Sequence, residues 1–253
     1  MTSFRQVLED SRQVSVRGFE LRVCLEGKGD PLLLLNGLNR PLESWEPFTQ
    51  ALSGRTIVRF DAPGVGGSPA PLVPPTIATM AEIVALMLDD LGLAQVDVLG
   101  FSLGGTVAQQ FAACFPKRVR RLVLVSTSCG VGATPNSWRA LRRLRIPSDT
   151  CSWSDGFGAL WQSMAVSSWS SIPFLGSISA KTLVVCGADD NVVPPANGRA
   201  LAGRIPDASL VMVEDGHDQQ CPEPARVLAR VVEEFLSQLP ISDEEHDHDR
   251  PEL

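Results

Sequence analysis

A serine between glycines and a distant histidine are the residues of this chain whose types could carry out chemistry together. The serine stands in Gly100-Phe101-Ser102-Leu103-Gly104, and His217 is the only one of three histidines outside the acidic C-terminal stretch. A serine hydroxyl is a weak nucleophile at neutral pH until a base takes its proton, and imidazole is suited to that task. We therefore predict a serine hydrolase with Ser102 as nucleophile and His217 as general base.

A carboxylate is needed to orient the imidazole, and the sequence offers several. Asp189 and Asp190 follow a predicted strand that lies between the serine and the histidine in chain order. We favour Asp190 over Asp189, since a loop needs two or three residues to turn a carboxylate back towards the histidine. Asp215 and Asp218 are nearer in sequence but would have to fold back on the ring, so they are disfavoured.

Attack on a carbonyl also requires donors for the negative charge that develops on its oxygen. Leu103 begins a predicted helix, where free backbone amides and the helix dipole favour an anion. We expect the second donor in the loop after Leu35, where Gly37 permits an unusual turn that can aim the Leu38 amide at the same oxygen. A structural turn without a catalytic role is the alternative interpretation of this loop.

Short apolar runs that could position these residues recur along the chain. A hairpin at the edge of a sheet is predicted around a tight Arg17-Gly18 turn, from runs at residues 13–18 and 19–25. Six further runs lack strict alternation, which is typical of strands covered on both faces. They are residues 31–35, 56–60, 96–99, 121–125, 183–186 and 209–213. Because helical stretches separate them, we predict an α/β fold: a mostly parallel eight-stranded sheet with helices on both faces.

Four helices are predicted around these strands. Thr79 and Glu82 have the spacing of a capping box and open an amphipathic stretch that runs to Leu91, where Gly92 supplies a stop. The other three helices are expected at about residues 103–115, 195–202 and 224–236.

An insertion at residues 131–180 follows the sixth strand and holds four of the five tryptophans. Two sets of apolar residues there have helical spacing: Trp138, Leu141 and Leu144, and Phe157, Leu160, Trp161 and Met164. Long insertions in compact domains are often functional, so we predict a short helical lid over a pocket, with ordinary helix packing as the alternative. We expect four arginines, at positions 139, 142, 143 and 145, to lie on a solvated helix face rather than to bind an anionic group of the substrate.

The composition indicates a globular protein with one core. The chain has 253 residues, is 44% hydrophobic and has a formal net charge of -7. This charge disfavours nucleic acid, because phosphate binding needs a basic surface. Six scattered cysteines without a CxxC motif predict buried, inert thiols in a reducing compartment, and we expect no cofactor and no metal. Since no apolar leader or membrane span is recognisable, a cytoplasmic protein is expected.

These patterns divide the chain into a hydrolase core at residues 1–130 and 181–240, a lid at residues 131–180 and a disordered acidic tail at residues 241–253. In the tail, His246 and His248 alternate with acidic residues. We expect these two histidines to be solvated rather than to bind a metal weakly.

Five segments of the chain resemble the α/β-hydrolase superfamily, and within it intracellular medium-chain polyhydroxyalkanoate depolymerases. The segments are PLLLLNGL at 31–38, FDAPGVGGS at 60–68, VLGFSLGGTVAQQF at 98–111, LVLVSTSCG at 122–130, and 169–217 with its GADDNVVP. Asn-Gly replaces the usual His-Gly in the first segment, and the family often has Trp at the position of Leu103. The resemblance implies the α/β-hydrolase fold and maps Ser102, Asp190 and His217 to the triad of the family.

We accordingly expect hydrolysis of a carboxylic ester with a lipophilic acyl group, such as a medium-chain 3-hydroxyacyl ester. The partner would be a small lipophilic ester or a polyester chain, and a homo-oligomer is left open. Hydrolysis of an enol-lactone, a thioester or a C–C bond is the enzymatic alternative, because the triad does not select the acyl partner. A non-catalytic receptor or granule-surface binding protein is the alternative of another class.

Overall fold

The computed structural model describes residues 11–131 and 153–238, which contain eight strands in one sheet. The strands are β1 (Ser11–Val16), β2 (Phe19–Gly27), β3 (Asp30–Leu35), β4 (Arg55–Phe60), β5 (Val96–Phe101), β6 (Val119–Val125), β7 (Lys181–Gly187) and β8 (Ala208–Val213). Their order is β1-β2-β4-β3-β5-β6-β7-β8. Strands β3 to β8 run parallel, whereas β2 pairs antiparallel with β1 and β4. The predicted mostly parallel eight-stranded sheet is confirmed.

Six α-helices occur in the described residues. They are α1 (Glu46–Thr49), α2 (Ile77–Asp90), α3 (Leu103–Cys114), α4 (Trp153–Ser167), α5 (Ala196–Ala202) and α6 (Pro222–Ser237). Short 3-10 turns cover Leu42–Trp45, Pro116–Arg118 and Leu175–Ser177. Within this part of the chain, no helix is both long and apolar enough to cross a bilayer.

The two faces of the sheet are buried against different helices. In β3, Leu33 and Leu35 point to the layer that contains α2 and α3, while Leu32 and Leu34 point to the layer that contains α1 and α6. Side chains of a strand alternate between the faces, so a strand covered on both sides is apolar at every position. This accounts for the continuous apolar runs in the sequence.

The hairpin turn between β1 and β2 lies where the sequence predicts it. Arg17 has a φ of 50° and Gly18 a φ of 82°. A two-residue turn with both central residues in the left-handed region matches the right-handed twist of the flanking strands. Arg17 also forms an ion pair with Glu82 of α2, which holds the hairpin against this helix.

The predicted N-cap of α2 is wrong by three residues. The helix begins at Ile77, and its N-cap is Thr76, whose hydroxyl accepts a 3.1 Å hydrogen bond from the Thr79 amide. Thr79 therefore lies inside the first turn, and Glu82 pairs with the hairpin rather than with a cap. The predicted stop is present, since Gly92 has a φ of 70° directly after the helix.

Part of the insertion after β6 is described. Helix α4 includes the second set of apolar residues at helical spacing, as predicted. The first predicted lid helix, the four arginines and the acidic tail at residues 241–253 lie outside the described residues.

The prediction that all the cysteines are buried is wrong for two of them. Cys24, Cys129 and Cys186 are buried, but Cys114 and Cys221 are exposed. Cys114 is the last residue of α3 and Cys221 precedes the first residue of α6, so each lies at a helix end that faces solvent. Cys151 lies outside the described residues.

Candidate active site

Ser102 lies on a sharp turn between strand β5 and helix α3. Its φ of 51° and ψ of −116° are unfavourable for a residue with a side chain. A Cβ added to Gly100 would lie 2.6 Å from the Gly104 oxygen, and one on Gly104 would clash with the Leu35 oxygen. Both glycines are therefore required for the strand and the helix to approach each other around the serine.

Ser102, His217 and Asp190 form a continuous chain of polar contacts. His217 Nε2 lies 3.1 Å from Ser102 Oγ, and His217 Nδ1 lies 2.8 Å from Asp190 Oδ2. The side chain of Asp190 is fully buried, and its other oxygen accepts the backbone amides of Val192 and Val193 at 2.8 and 2.7 Å. The carboxylate is thus held in one orientation, with one oxygen directed at the imidazole.

The other candidate carboxylates have different surroundings. Asp189 is exposed, and Asp215 accepts a 2.7 Å hydrogen bond from the Gly216 amide. Asp218 forms a 2.7 Å ion pair with Arg40. Burial alone would raise the pKa of Asp218, but the hydrogen bond and charge of Arg40 outweigh it and lower the pKa. Of these acids, Asp190 is the one that the structure brings to the imidazole.

The loop after β3 passes directly over the serine. A Cβ added to Gly37 would lie 3.0 Å from the Phe101 ring and 3.5 Å from Ser102 Cβ. The left-handed residue of this loop is Asn39, with a φ of 53°, and not Gly37 as we expected. A side chain at Gly37 would press against the Phe101 ring, which favours glycine at this position, and the loop backbone here lies close to the nucleophile.

Leu103 is the first residue of helix α3, directly after Ser102. The first amides of a helix have no acceptor within it, which is the property that an oxyanion donor requires. The Leu103 carbonyl accepts a 2.7 Å hydrogen bond from Thr106, which stabilises the first turn of α3. The two predicted donor residues, Leu38 and Leu103, thus belong to the loop that passes over the serine and to the helix that begins directly after it.

An apolar cavity of about 40 Å³ lies beside this turn, between the sheet and helix α4. It has room for roughly three water-sized groups. Leu103 and Gly104 form its wall next to the serine, and no charged side chain among the described residues lines it. Its apolar lining includes Phe60, Ile77, Met80, Val107, Trp161 and Ala165.

Helix α4 is held over this cavity by three contacts. Gly158 packs against the backbone of Gly64 so closely that a Cβ would clash with the Gly64 oxygen. Trp161 Nε1 donates a 3.1 Å hydrogen bond to the Pro71 oxygen. Gln162 Oε1 accepts a 2.8 Å hydrogen bond from the Asn39 amide in the loop over the serine.

Three polar residues near the serine were missed in the sequence: Arg40, Gln162 and Gln220. Their contacts join segments far apart in the chain, and no local spacing marks them. The replacement of His by Asn at position 36 was the one available signal, since Asn36 is the partner of Gln220.

Comparisons with known proteins agree with this fold. A family described as "alpha/beta hydrolase fold" matches residues 30–150, and one described as "TAP-like protein" matches residues 152–247. The chain is 36% identical to a poly(3-hydroxyalkanoate) depolymerase from Ectopseudomonas oleovorans over 240 residues, 82% of this chain and 84% of that protein. The chain belongs to the α/β-hydrolase family. This identity over most of both lengths confirms the resemblance seen in the sequence.

Other members of the α/β-hydrolase family are also similar. A 2-hydroxy-6-oxononadienedioate/2-hydroxy-6-oxononatrienedioate hydrolase from Comamonas testosteroni is 27% identical and covers 87% of this chain and 92% of its own length. The crystal structure of a hydrolase from Pseudomonas aeruginosa PA01 superimposes with a TM-score of 0.78 at 28% identity, covering 90% of this chain and 99% of that structure. These relatives are named for different substrates, so membership of the family shows a hydrolase but does not identify the substrate.

Proposed function

We propose that this α/β hydrolase cleaves carboxylic esters with uncharged, lipophilic acyl groups, as a polyhydroxyalkanoate depolymerase-like enzyme or a general carboxylesterase. The observation that carries the proposal is the hydrogen-bonded chain from Ser102 through His217 to Asp190, whose Ser102 end lies beside an apolar cavity. A nucleophile, a base and an orienting acid in this arrangement are the requirements for acyl transfer.

The reaction proceeds in two halves. His217 Nε2 takes the hydroxyl proton as Ser102 Oγ attacks the ester carbonyl, while the Asp190 carboxylate accepts a hydrogen bond from His217 Nδ1–H and stabilises the imidazolium by its charge. The Leu38 and Leu103 amides donate to the oxyanion of the tetrahedral intermediate. Its collapse breaks the bond between the carbonyl carbon and the alkoxy oxygen, and His217 protonates the departing alcohol. Water then attacks the acyl-enzyme by the same route and releases the acid.

The cavity favours an uncharged acyl group. A buried carboxylate requires a cation or several donors, and the described lining of the cavity contains no charged side chain. Arg40 lies 5.6 Å from the centre of the Phe101 ring, but its guanidinium is already paired with Asp218. The dioate named for the Comamonas testosteroni relative carries carboxylates, so the lining supports ester cleavage over that reaction.

Helix α4 acts in this proposal as part of a lid at residues 131–180. It closes one side of the cavity through Trp161, Gln162 and Ala165, while the opposite wall comes from the hydrolase core. A lid that supplies apolar side chains excludes water from the acyl-enzyme and selects lipophilic substrates.

The test combines labelling with an ester series. We expect a fluorophosphonate to add to Ser102, located by peptide mass spectrometry, and the wild-type protein to hydrolyse neutral p-nitrophenyl esters. Ser102→Ala should lose label and lower kcat by at least about 10⁴-fold. Labelling elsewhere, or hydrolysis retained by this variant, would show that the nucleophile is misassigned. Faster turnover of a ring-cleavage diketone than of any ester would favour the C–C alternative.

Two adjacent carboxylates provide a matched pair for the acid. Asp190→Asn should lower kcat by about 10³- to 10⁴-fold, because a neutral amide cannot stabilise the imidazolium by charge and its NH2 group favours the wrong imidazole tautomer. Asp189→Asn, an equally conservative change at the exposed neighbour, should alter kcat by less than about 3-fold. Equal losses in the two variants would reject Asp190 as the orienting acid.

A further inference from the structure

Two loops of the proposed site are joined to each other by a side-chain hydrogen bond. Gln220 Nε2 donates to Asn36 Oδ1 at 2.8 Å, across 184 residues of sequence. Asn36 begins the loop that carries the Leu38 amide, and Gln220 lies three residues after His217. The bond therefore connects the segment of a proposed oxyanion donor with the segment of the proposed base.

On its own side, Asn36 organises the loop after β3. Asn36 Oδ1 also accepts the Gly37 amide at 3.2 Å. Asn36 Nδ2 donates to the carbonyl oxygens of Arg40 and Pro41 at 3.0 and 2.7 Å. Both ends of the loop are thus tied to one side chain, and the backbone at Leu38 lies between them.

On the other side, Gln220 is equally constrained. Its side chain is buried, and Gln220 Oε1 accepts a 3.0 Å hydrogen bond from Arg40. The backbone amide of Gln220 donates a 3.2 Å hydrogen bond to the Asp218 carboxylate, and Asp218 is the ion-pair partner of Arg40. The contacts form a closed ring through Asn36, Gln220, Asp218 and Arg40 that links the two loops.

We propose that Asn36 and Gln220 are positioning residues that set the Leu38 amide at a constant distance from the His217 imidazole. The inference rests on the proposed function, since it assigns these two groups to the same reaction. A displacement of about 1 Å between groups that must act on one carbonyl can reduce the rate by about 10²-fold. Neither residue needs to touch the reacting atoms for this effect.

The sharpest single variant is Gln220→Glu. It keeps the oxygen that accepts from Arg40 and adds a charge that Arg40 can pair with, but it removes the donor to Asn36. We expect kcat for a p-nitrophenyl ester to fall by roughly 10- to 100-fold with KM changed by less than about 3-fold. A merely structural role would lower the thermal stability but leave the kcat of the folded enzyme intact, so both quantities are measured.

The coupling is measured with a double-mutant cycle, in which residues in contact give non-additive effects. Asn36→Ala and Gln220→Ala should each lower kcat, and the double variant should lose about as much as the worse single variant. Gln219 is the matched control, because it is equally buried but donates within its own loop, to the Gly216 oxygen at 2.8 Å. The effects of Gln219→Ala and Asn36→Ala should multiply.

The affinity for an oxyanion mimic gives a second readout. A trifluoromethyl ketone should bind Gln220→Glu more weakly by about the same factor as the loss in kcat. The affinity and kcat should fall together because both depend on the position of the Leu38 amide. Unchanged kcat in this variant, or multiplicative effects of Asn36→Ala and Gln220→Ala, would overturn the inference. The proposed function is judged separately, by fluorophosphonate labelling of Ser102 in the wild-type protein.

Discussion

The side-chain oxygen of Gln162 accepts a hydrogen bond of 2.8 Å from the backbone amide of Asn39. Gln162 belongs to helix α4, which covers the apolar cavity, and Asn39 is the left-handed residue of the loop that passes over the serine. The covering helix and the proposed oxyanion loop are therefore in direct contact. We therefore expect a change at this hydrogen bond to affect both the helix and the loop.

This contact predicts that Gln162→Leu reduces turnover more than substrate binding. The variant leaves the Asn39 amide without its acceptor, which costs about 1–3 kcal/mol when the donor stays buried. The loop can recover a partner only by moving, so we expect kcat for a neutral ester to fall roughly 10-fold. Gln162→Glu keeps the acceptor, although it adds a charge to the cavity wall, and should retain more activity than Gln162→Leu. Similar losses in both variants, in steady-state assays, would contradict this.

A pair of glycines in α4 tests how the helix is seated. A Cβ at Gly158 would clash with the Gly64 backbone, whereas one at Gly156 meets no atom within 4 Å. Gly158→Ala should destabilise the protein by about 1–3 kcal/mol and raise KM for lipophilic esters, because the helix must move away from the cavity. Gly156→Ala should instead stabilise the helix by roughly 0.5–1 kcal/mol. Thermal unfolding and ester kinetics measure both, and equal effects would exclude this role for the Gly64 contact.

The backbone strain at Ser102 predicts a difference between two inactive variants. Ser102→Gly and Ser102→Ala both lose the hydroxyl, but only glycine adopts the φ and ψ of this turn without steric strain. Unfavourable backbone of this kind costs about 1–3 kcal/mol, against which glycine loses up to about 1 kcal/mol through the unfolded state. We expect the glycine variant to melt about 2–4 °C above the alanine variant. A lower melting temperature for glycine would show that the turn is unstrained.

Thiol reactivity should follow position in the fold. Burial, with a contribution from the charge of Asp190, raises the pKa of Cys186 to about 11, so its thiol is almost fully protonated at pH 8. Burial and Asp218 raise the pKa of Cys221, which is nevertheless exposed. Iodoacetamide at pH 8 should modify Cys114 first, Cys221 more slowly and Cys186 at least about 100-fold more slowly.

Peptide mass spectrometry over time measures each cysteine individually. The rate at Cys186 should increase with pH up to about 11, since the reactive thiolate forms only as the pH approaches its pKa. Unfolding the protein first is the control, and it should bring the three rates together. Rapid modification of Cys186 in the native protein would show that this side of β7 opens to solvent.

Local patterns predicted much of the fold because the constraints behind them are local. A strand covered on both faces must be apolar at consecutive positions, and a hairpin turn needs two left-handed residues, which Arg17-Gly18 supplies. The turn at Ser102 needs glycines where the strand and the helix approach, and both are visible in the motif. Such signals do not depend on knowing the rest of the structure.

The errors arose where two local solutions compete or where a distant contact decides. Thr76 and Thr79 are both suitable caps, and the sequence cannot show that Glu82 is engaged by Arg17. The loop after β3 contains a glycine, yet its left-handed residue is Asn39, whose amide bonds to Gln162 in α4. These choices depend on elements that are far away in the chain.

The sequence by itself determined the eight strands, the turn that presents Ser102 and the single histidine available near it, because burial, chirality and glycine sterics act over a few residues. Only the tertiary structure decided that Asp190 rather than Asp189 meets His217, and that Gln220 and Gln162 contact the loop over the serine. Hydrogen bonds between buried groups form wherever folding brings partners within about 3 Å, and that proximity is a property of the packed chain.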